Sequence, residues 1–158
     1  MRRSRRLDAG FTLIELLIAI TVLGILSVAA VHSWRIEQWM AARQLGAVCL
    51  LEAHLRLENL SSRLGRPPAS AAALSMVGYA GNPPSCGDEG LYQLELDMAG
   101  APGRYRLVAL ARGQQAPDGD LLLEVAPDHP NPDLRLQKQH RQPDGRVLPG
   151  WSFRPGSR

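Results

Sequence analysis

Residues 11–31 read FTLIELLIAITVLGILSVAAV, and this stretch decides how the rest of the chain is read. It holds one charge, Glu15. As a helix its 21 residues rise about 30 Å, the thickness of a bilayer's hydrocarbon core. Just before it, residues 2–6 read Arg-Arg-Ser-Arg-Arg. A basic head ahead of an apolar run predicts an N-terminus in the cytoplasm and an exported remainder.

The composition agrees with one domain behind that segment. The chain has 158 residues, is 45% hydrophobic and carries a formal net charge of +3. That is too apolar for a disordered chain. Two cysteines are too few for a disulfide-dense scaffold or a four-thiolate zinc site. Without residues 1–10 the chain holds 14 bases and 14 acids, so the basic excess comes from the head. Nucleic-acid binding by the body gains little support from it.

An ordinary secretory signal would share the basic head and the apolar run, with Val28-Ala29-Ala30 as a cleavage site. Two features resist it. The apolar run is long, and Glu15 would cost roughly 2.5–3.5 kcal/mol or more at the bilayer centre. No Lys or Arg lies within the run, so its partner comes from elsewhere.

Gly10-Phe11-Thr12-Leu13-Ile14-Glu15 after a short basic leader resembles the processing site of type IV prepilins. The likeness continues through Leu16, Leu17, Gly24 and Ile25-Leu26. It implies that a prepilin peptidase cuts after Gly10 and that Phe11 becomes an N-methylated terminus. It also implies that Glu15 pairs with the terminal amine of a neighbouring subunit. The physics supports such a pair, because a buried carboxylate and a buried ammonium each need the other. The sequence departs from the family at His32, where Pro often bends the helix; His keeps its N–H and lacks the ring clash. His32 is expected to be an interfacial polar residue rather than a pH sensor.

From residue 33 to about 64 there is no Pro and one Gly, Gly46, so the helix is expected to continue. Ile36, Met40, Ala47, Leu51 and Leu55 recur at helical spacing, and Trp39, Leu50, Leu57 and Leu64 form a second line. Two lines suit a helix packed by its own sheet and by neighbouring subunits; one broad core face is the alternative. Gly65-Arg66-Pro67-Pro68 ends it. Residues 69–90 read as an irregular connection with one helical turn near residues 71–74.

Alternation then predicts strands through Tyr92–Met98, through residues 104–112 and through residues 121–125, with Leu134 and Leu136 in a fourth. Short links give an antiparallel meander facing the helix. The fold class is α+β, which is also the pilin fold that the resemblance implies. Its expected parts are a leader (1–10), a membrane and polymerisation helix (11–31), an amphipathic continuation (32–64), and a connection, sheet and basic tail (65–158). Tyr92-Gln93-Leu94 and Tyr105-Arg106-Leu107, followed by Gly113-Gln114, look similar to PilE-like minor pilins.

Catalytic patterns are missing. His32, His54, His129 and His140 share no metal-ligand spacing, and there is no phosphate loop or nucleophile elbow. Pro127-Asp128-His129-Pro130 reads as a rigid turn. Asp118-Gly119-Asp120 reads as a hairpin turn rather than a calcium loop. No enzyme activity, cofactor or metal is expected. Cys49 and Cys86 would lie in an oxidising compartment, which favours a disulfide over two buried thiols. Residues 131–158 hold six bases and two acids. Arg135, Lys138 and Arg141 make this a candidate basic surface for DNA, for an acidic partner or for the next subunit; a solvated tail is the alternative.

The resemblance implies a minor pilin of a type IV pilus that serves assembly, twitching motility, adhesion or DNA uptake. Its expected partners are other pilin subunits, the prepilin peptidase and the inner membrane before assembly, with nucleic acid weakly supported. It would cross the inner membrane once, with its C-terminal domain periplasmic, and then join an extracellular pilus. A pseudopilin of type II secretion and a membrane-tethered periplasmic binding domain are the rival readings.

Overall fold

The computed structural model describes residues 12–79, 81, 84–86, 90–98, 100 and 103–151. Helix α1 runs Leu13–Leu64, followed by the single turn α2 (Ala73–Met76). Six strands follow: β1 (Ser85–Cys86), β2 (Tyr92–Met98), β3 (Tyr105–Ala111), β4 (Asp120–Val125), β5 (Leu136–Arg141) and β6 (Val147–Pro149). They pair antiparallel in chain order, so the sheet is an uninterrupted meander. A long helix before an antiparallel sheet is the α+β, pilin-like layout. The chain divides between Gln38 and Trp39 into two compact units.

In the first unit the described side chains of residues 13–31 are exposed. The helix is long and apolar enough to cross a membrane, with a mean hydropathy of 2.5 in its most apolar window. Its hydroxyls are satisfied internally. Thr21 donates to the carbonyls of Leu17 and Ile18, and Ser27 to that of Leu23. Polar groups bonded this way lose little in lipid.

In the second unit the sheet register places Tyr92, Leu94, Leu96, Tyr105, Leu107, Ala109, Leu121, Leu123 and Val125 on one buried face. The helix meets this face through Ala42, Cys49, Leu50, Ala53 and Leu57. Small residues bring the two backbones together. A Cβ on Gly46 would lie 2.9 Å from the Tyr92 ring and 3.1 Å from Leu121. The buried side of α1 therefore follows the line through Trp39, Leu50 and Leu57. Ile36, Met40, Ala47 and Leu51 are only half-buried, and Leu55 and Leu64 are 58% and 48% exposed.

Two strands lie where the sequence suggests none. β1 is two residues long, and β6 lies in the segment read as a tail. β5 runs to Arg141, while Leu134 belongs to the 3-10 turn Pro132–Leu134. The link between β3 and β4 is a 3-10 helix, Gly113–Asp118, rather than a tight hairpin turn. Gly119 closes it at φ 91°, and a Cβ there would lie 2.3 Å from the Arg141 carbonyl oxygen. Only glycine fits both the angle and the space.

Cys49 and Cys86 form a disulfide, which ties β1 to α1 across 37 residues. Closing a loop of that size removes about 4 kcal/mol of unfolded-state entropy in the chain-entropy model, and native strain lowers the yield. The Cys49→Ser/Cys86→Ser variant should therefore lose about 2–4 kcal/mol in urea unfolding. An unchanged midpoint would show that the helix contacts alone fix the connection.

Candidate functional site

Thr12 caps α1. Glu15 and Thr12 form a reciprocal capping box. The Thr12 hydroxyl accepts from the Glu15 N–H at 3.3 Å, and Glu15 Oε2 accepts from the Thr12 N–H at 3.0 Å and its hydroxyl at 2.8 Å. A carboxylate in the first turn also faces the positive end of the helix dipole. Glu15 thus has a local task within one chain. The Thr-x-x-Glu spacing that specifies it is visible in the sequence, although the pairing role drew attention first. Gly10 and Phe11 lie outside the described residues, as does the side chain of His32.

The candidate basic surface lies on β5 and the turn before it. Arg135 donates to the His129 carbonyl at 3.0 Å. Arg141 is paired with Asp120 through two N–H bonds of 3.0 and 2.7 Å. Lys138 sits 5.1 Å from the centre of the Trp151 ring. These three cations hold strands and turns in place, and Arg146 pairs with Asp144. Residues 136–141 and 147–149 of this segment are strands of the sheet rather than a loose tail. Asp120 also accepts from the Ala111 N–H at 2.9 Å, so both of its oxygens are occupied by the protein. Among the described residues no three His, Cys, Asp or Glu side chains come together as a metal site.

A buried polar cluster fastens α1 to the 3-10 helix. Arg43 grips Asp118 through two N–H groups, its Nε lying 2.8 Å from Oδ2, and both side chains are almost fully buried. Gln115 Nε2 donates to Asp118 at 2.8 Å, to the Tyr92 hydroxyl at 3.0 Å and to the Trp39 carbonyl at 3.2 Å. Trp39 returns its indole N–H to the Gln114 carbonyl at 3.0 Å. His140 Nε2 donates to the Asp118 carbonyl at 2.6 Å. A two-pronged Arg–carboxylate contact fixes angle as well as distance, so this cluster sets the register of α1 against the sheet. Burial, with the Asp118 charge nearby, pushes the Tyr92 hydroxyl far up, so it stays protonated.

His54 is the other buried titratable group on the helix. Its Nδ1 lies 2.8 Å from the Tyr105 hydroxyl, and its Nε2 lies 3.7 Å from Glu58. Burial lowers its pKa below the ordinary 6.5, and the Glu58 charge opposes this in part. The folded state therefore disfavours the proton. Stability conferred by neutral His54 is full above 6.5 and falls as the pH drops toward the depressed folded value. The carboxylates held down by arginine partners, Asp128 and Asp144, act only below 3.8. The thermal midpoint should thus decline as the pH falls below 6.5, and His54→Gln should flatten that decline. Equal slopes for the two proteins would remove His54 from the account.

Residues 5–31 match the family model of the prokaryotic N-terminal methylation motif. No curated protein and no solved structure matches the chain. The motif and the fold suggest a structural, non-enzymatic protein that assembles with pilins and is processed by a prepilin peptidase. The methylation motif, the apolar helix that follows it and the antiparallel sheet are together consistent with a type IV pilin-like family.

Proposed function

We propose that this chain is a minor pilin of a type IV pilus. The observation that carries the reading is the methylation motif at residues 5–31, which overlaps the start of a 52-residue helix whose first part is long and apolar enough to cross a membrane. An exposed apolar helix of that length needs either lipid or the same segment of its neighbours. Before assembly it would sit in the inner membrane with the sheet unit in the periplasm; afterwards it would lie in the filament core. The exposed line Leu45, Val48 and Leu55 extends the apolar surface along the second unit's part of α1. In this reading residues 1–10 are the leader, Phe11 is the methylated terminus, and Glu15 meets a neighbour's amine. The role is mechanical, with no catalytic step and no cofactor.

The pseudopilin reading shares every one of these features. The engaged state of Arg135, Lys138 and Arg141 supports a structural use of the basic segment over a DNA-binding one. The deciding experiment follows the subunit in sheared surface fibres and in the envelope. Recovery in sheared fibres, with altered fibre number on deletion, supports the pilus. Retention in the envelope with loss of protein secretion on deletion supports the pseudopilin.

A further inference from the structure

Three tryptophans punctuate the chain, and two are committed to the sheet unit. Trp39 donates its indole N–H to the Gln114 carbonyl, and Trp151 donates to the carbonyls of Leu122 and Gln139. Trp34 differs. It is 63% exposed, and its N–H has no acceptor among the described residues. It stands three residues beyond the end of the apolar run and next to Arg35, which makes no ion pair among the described residues.

An indole has a large apolar body and one polar edge, so it partitions to the headgroup layer of a bilayer, where both are satisfied. A guanidinium beside it suits lipid phosphate. The spacing supports that placement. From Glu15 to Trp34 the helix rises about 29 Å, close to the thickness of the hydrocarbon core. When Trp34 lies at one interface, Glu15 lies at the other, where its charge is hydrated and its capping box stays intact. A helix shifted by two turns would bury either the carboxylate or Arg35 and Glu37.

We propose that Trp34 and Arg35 form an interfacial anchor for phospholipid headgroups on the non-cytoplasmic side of the membrane, and that this anchor sets the insertion depth of α1. The proposal rests on the membrane-spanning reading above. It gives the unassembled subunit a defined height, with the Glu15 carboxylate at the inner headgroup layer. Glu15 then stays hydrated in the membrane and leaves water only on entering the filament, where a neighbour's amine would meet it.

The test uses the full chain reconstituted into vesicles of phosphatidylcholine and phosphatidylglycerol. Tryptophan fluorescence is quenched by lipids carrying bromine near the glycerol end or near the methyl end of the acyl chain. Quenching should be at least about twofold stronger with the shallow bromines. Trp34→Phe should abolish the quenched component, with unchanged near-ultraviolet circular dichroism showing an intact sheet unit. Flotation of the vesicles reports insertion separately. A chain that floats with no quenching, or with stronger deep quenching, overturns the anchor and leaves the membrane reading in place. A chain that does not float overturns both.

Discussion

Replacing Asp118 with Ala should cost about 3–5 kcal/mol of folding stability, because the Arg43 guanidinium would remain buried without its counter-charge. Asp118 is 75 residues from Arg43 in sequence, and both side chains are almost fully buried. Arg43→Met removes the cation instead, and then the Asp118 carboxylate keeps the Gln115 amide as its hydrogen-bond donor among the described residues. The double variant Arg43→Met/Asp118→Leu should recover much of the loss, since an apolar pair of similar volume avoids both desolvation costs. Chemical unfolding of the second unit, expressed behind a fusion partner in place of residues 1–38, measures all three. Single-variant losses below about 1 kcal/mol would mean that water reaches the pair and that it behaves as a surface bridge. Whatever the stability outcome, the Trp39 and Gln115 bonds predict a change near Trp39, visible in its fluorescence, when Asp118 is lost.

The second large effect concerns Glu15. Its carboxylate serves the capping box within one chain, while the proposed pairing with a neighbour's amine would belong to the assembled state. Two substitutions separate these. Glu15→Gln keeps a side chain that can cap the helix and removes the charge; Glu15→Ala removes both. The capping box is worth about 0.5–2 kcal/mol at an N-terminus. Stranding a neighbour's ammonium in a low-dielectric core costs roughly 3–5 kcal/mol. The charge therefore dominates, and both variants should be cleaved and inserted normally yet enter fibres at least about tenfold less than the parent. The ratio of fibre to membrane subunit is the readout. A Gln variant that assembles like the parent, beside an Ala variant that fails, would make Glu15 a helix cap and no more.

The parts of this protein that were legible in its sequence are those where one face of an element is uniformly apolar. The alternation in β2 and β4 gave their positions to within a residue, and the apolar run gave α1. The Cys pair was readable from compartment alone. A fourth strand at Leu136 was legible, but its extent was not, because Gln137, Lys138, Gln139, His140 and Arg141 carry no apolar alternation. It is held instead by β4 on one side and β6 on the other, and by His140 and Arg141 reaching Asp118 and Asp120. Of the two apolar lines on the helix, the one through Leu50 and Leu57 is buried against the sheet. The small residues that make the close approach, Ala42, Gly46 and Ala53, carry no apolar signal of their own in the sequence. The Arg43–Asp118 pair is not legible in the sequence, since nothing local announces a partner 75 residues away. At the N-terminus the motif outran the structure: Gly10 and Phe11 were read from sequence, and only the Thr12–Glu15 cap adds geometry to them.

The central claim is that this is a processed, methylated subunit, and intact-mass analysis of the protein extracted from the cell envelope tests it most directly. The account predicts a chain that begins at Phe11 and carries one added methyl group on its amine, with the Cys49–Cys86 bond still closed. A chain beginning at Val31 would identify an ordinary secretory signal, and a chain retaining residues 1–10 would show that the motif is not processed; either result contradicts the pilin-like reading.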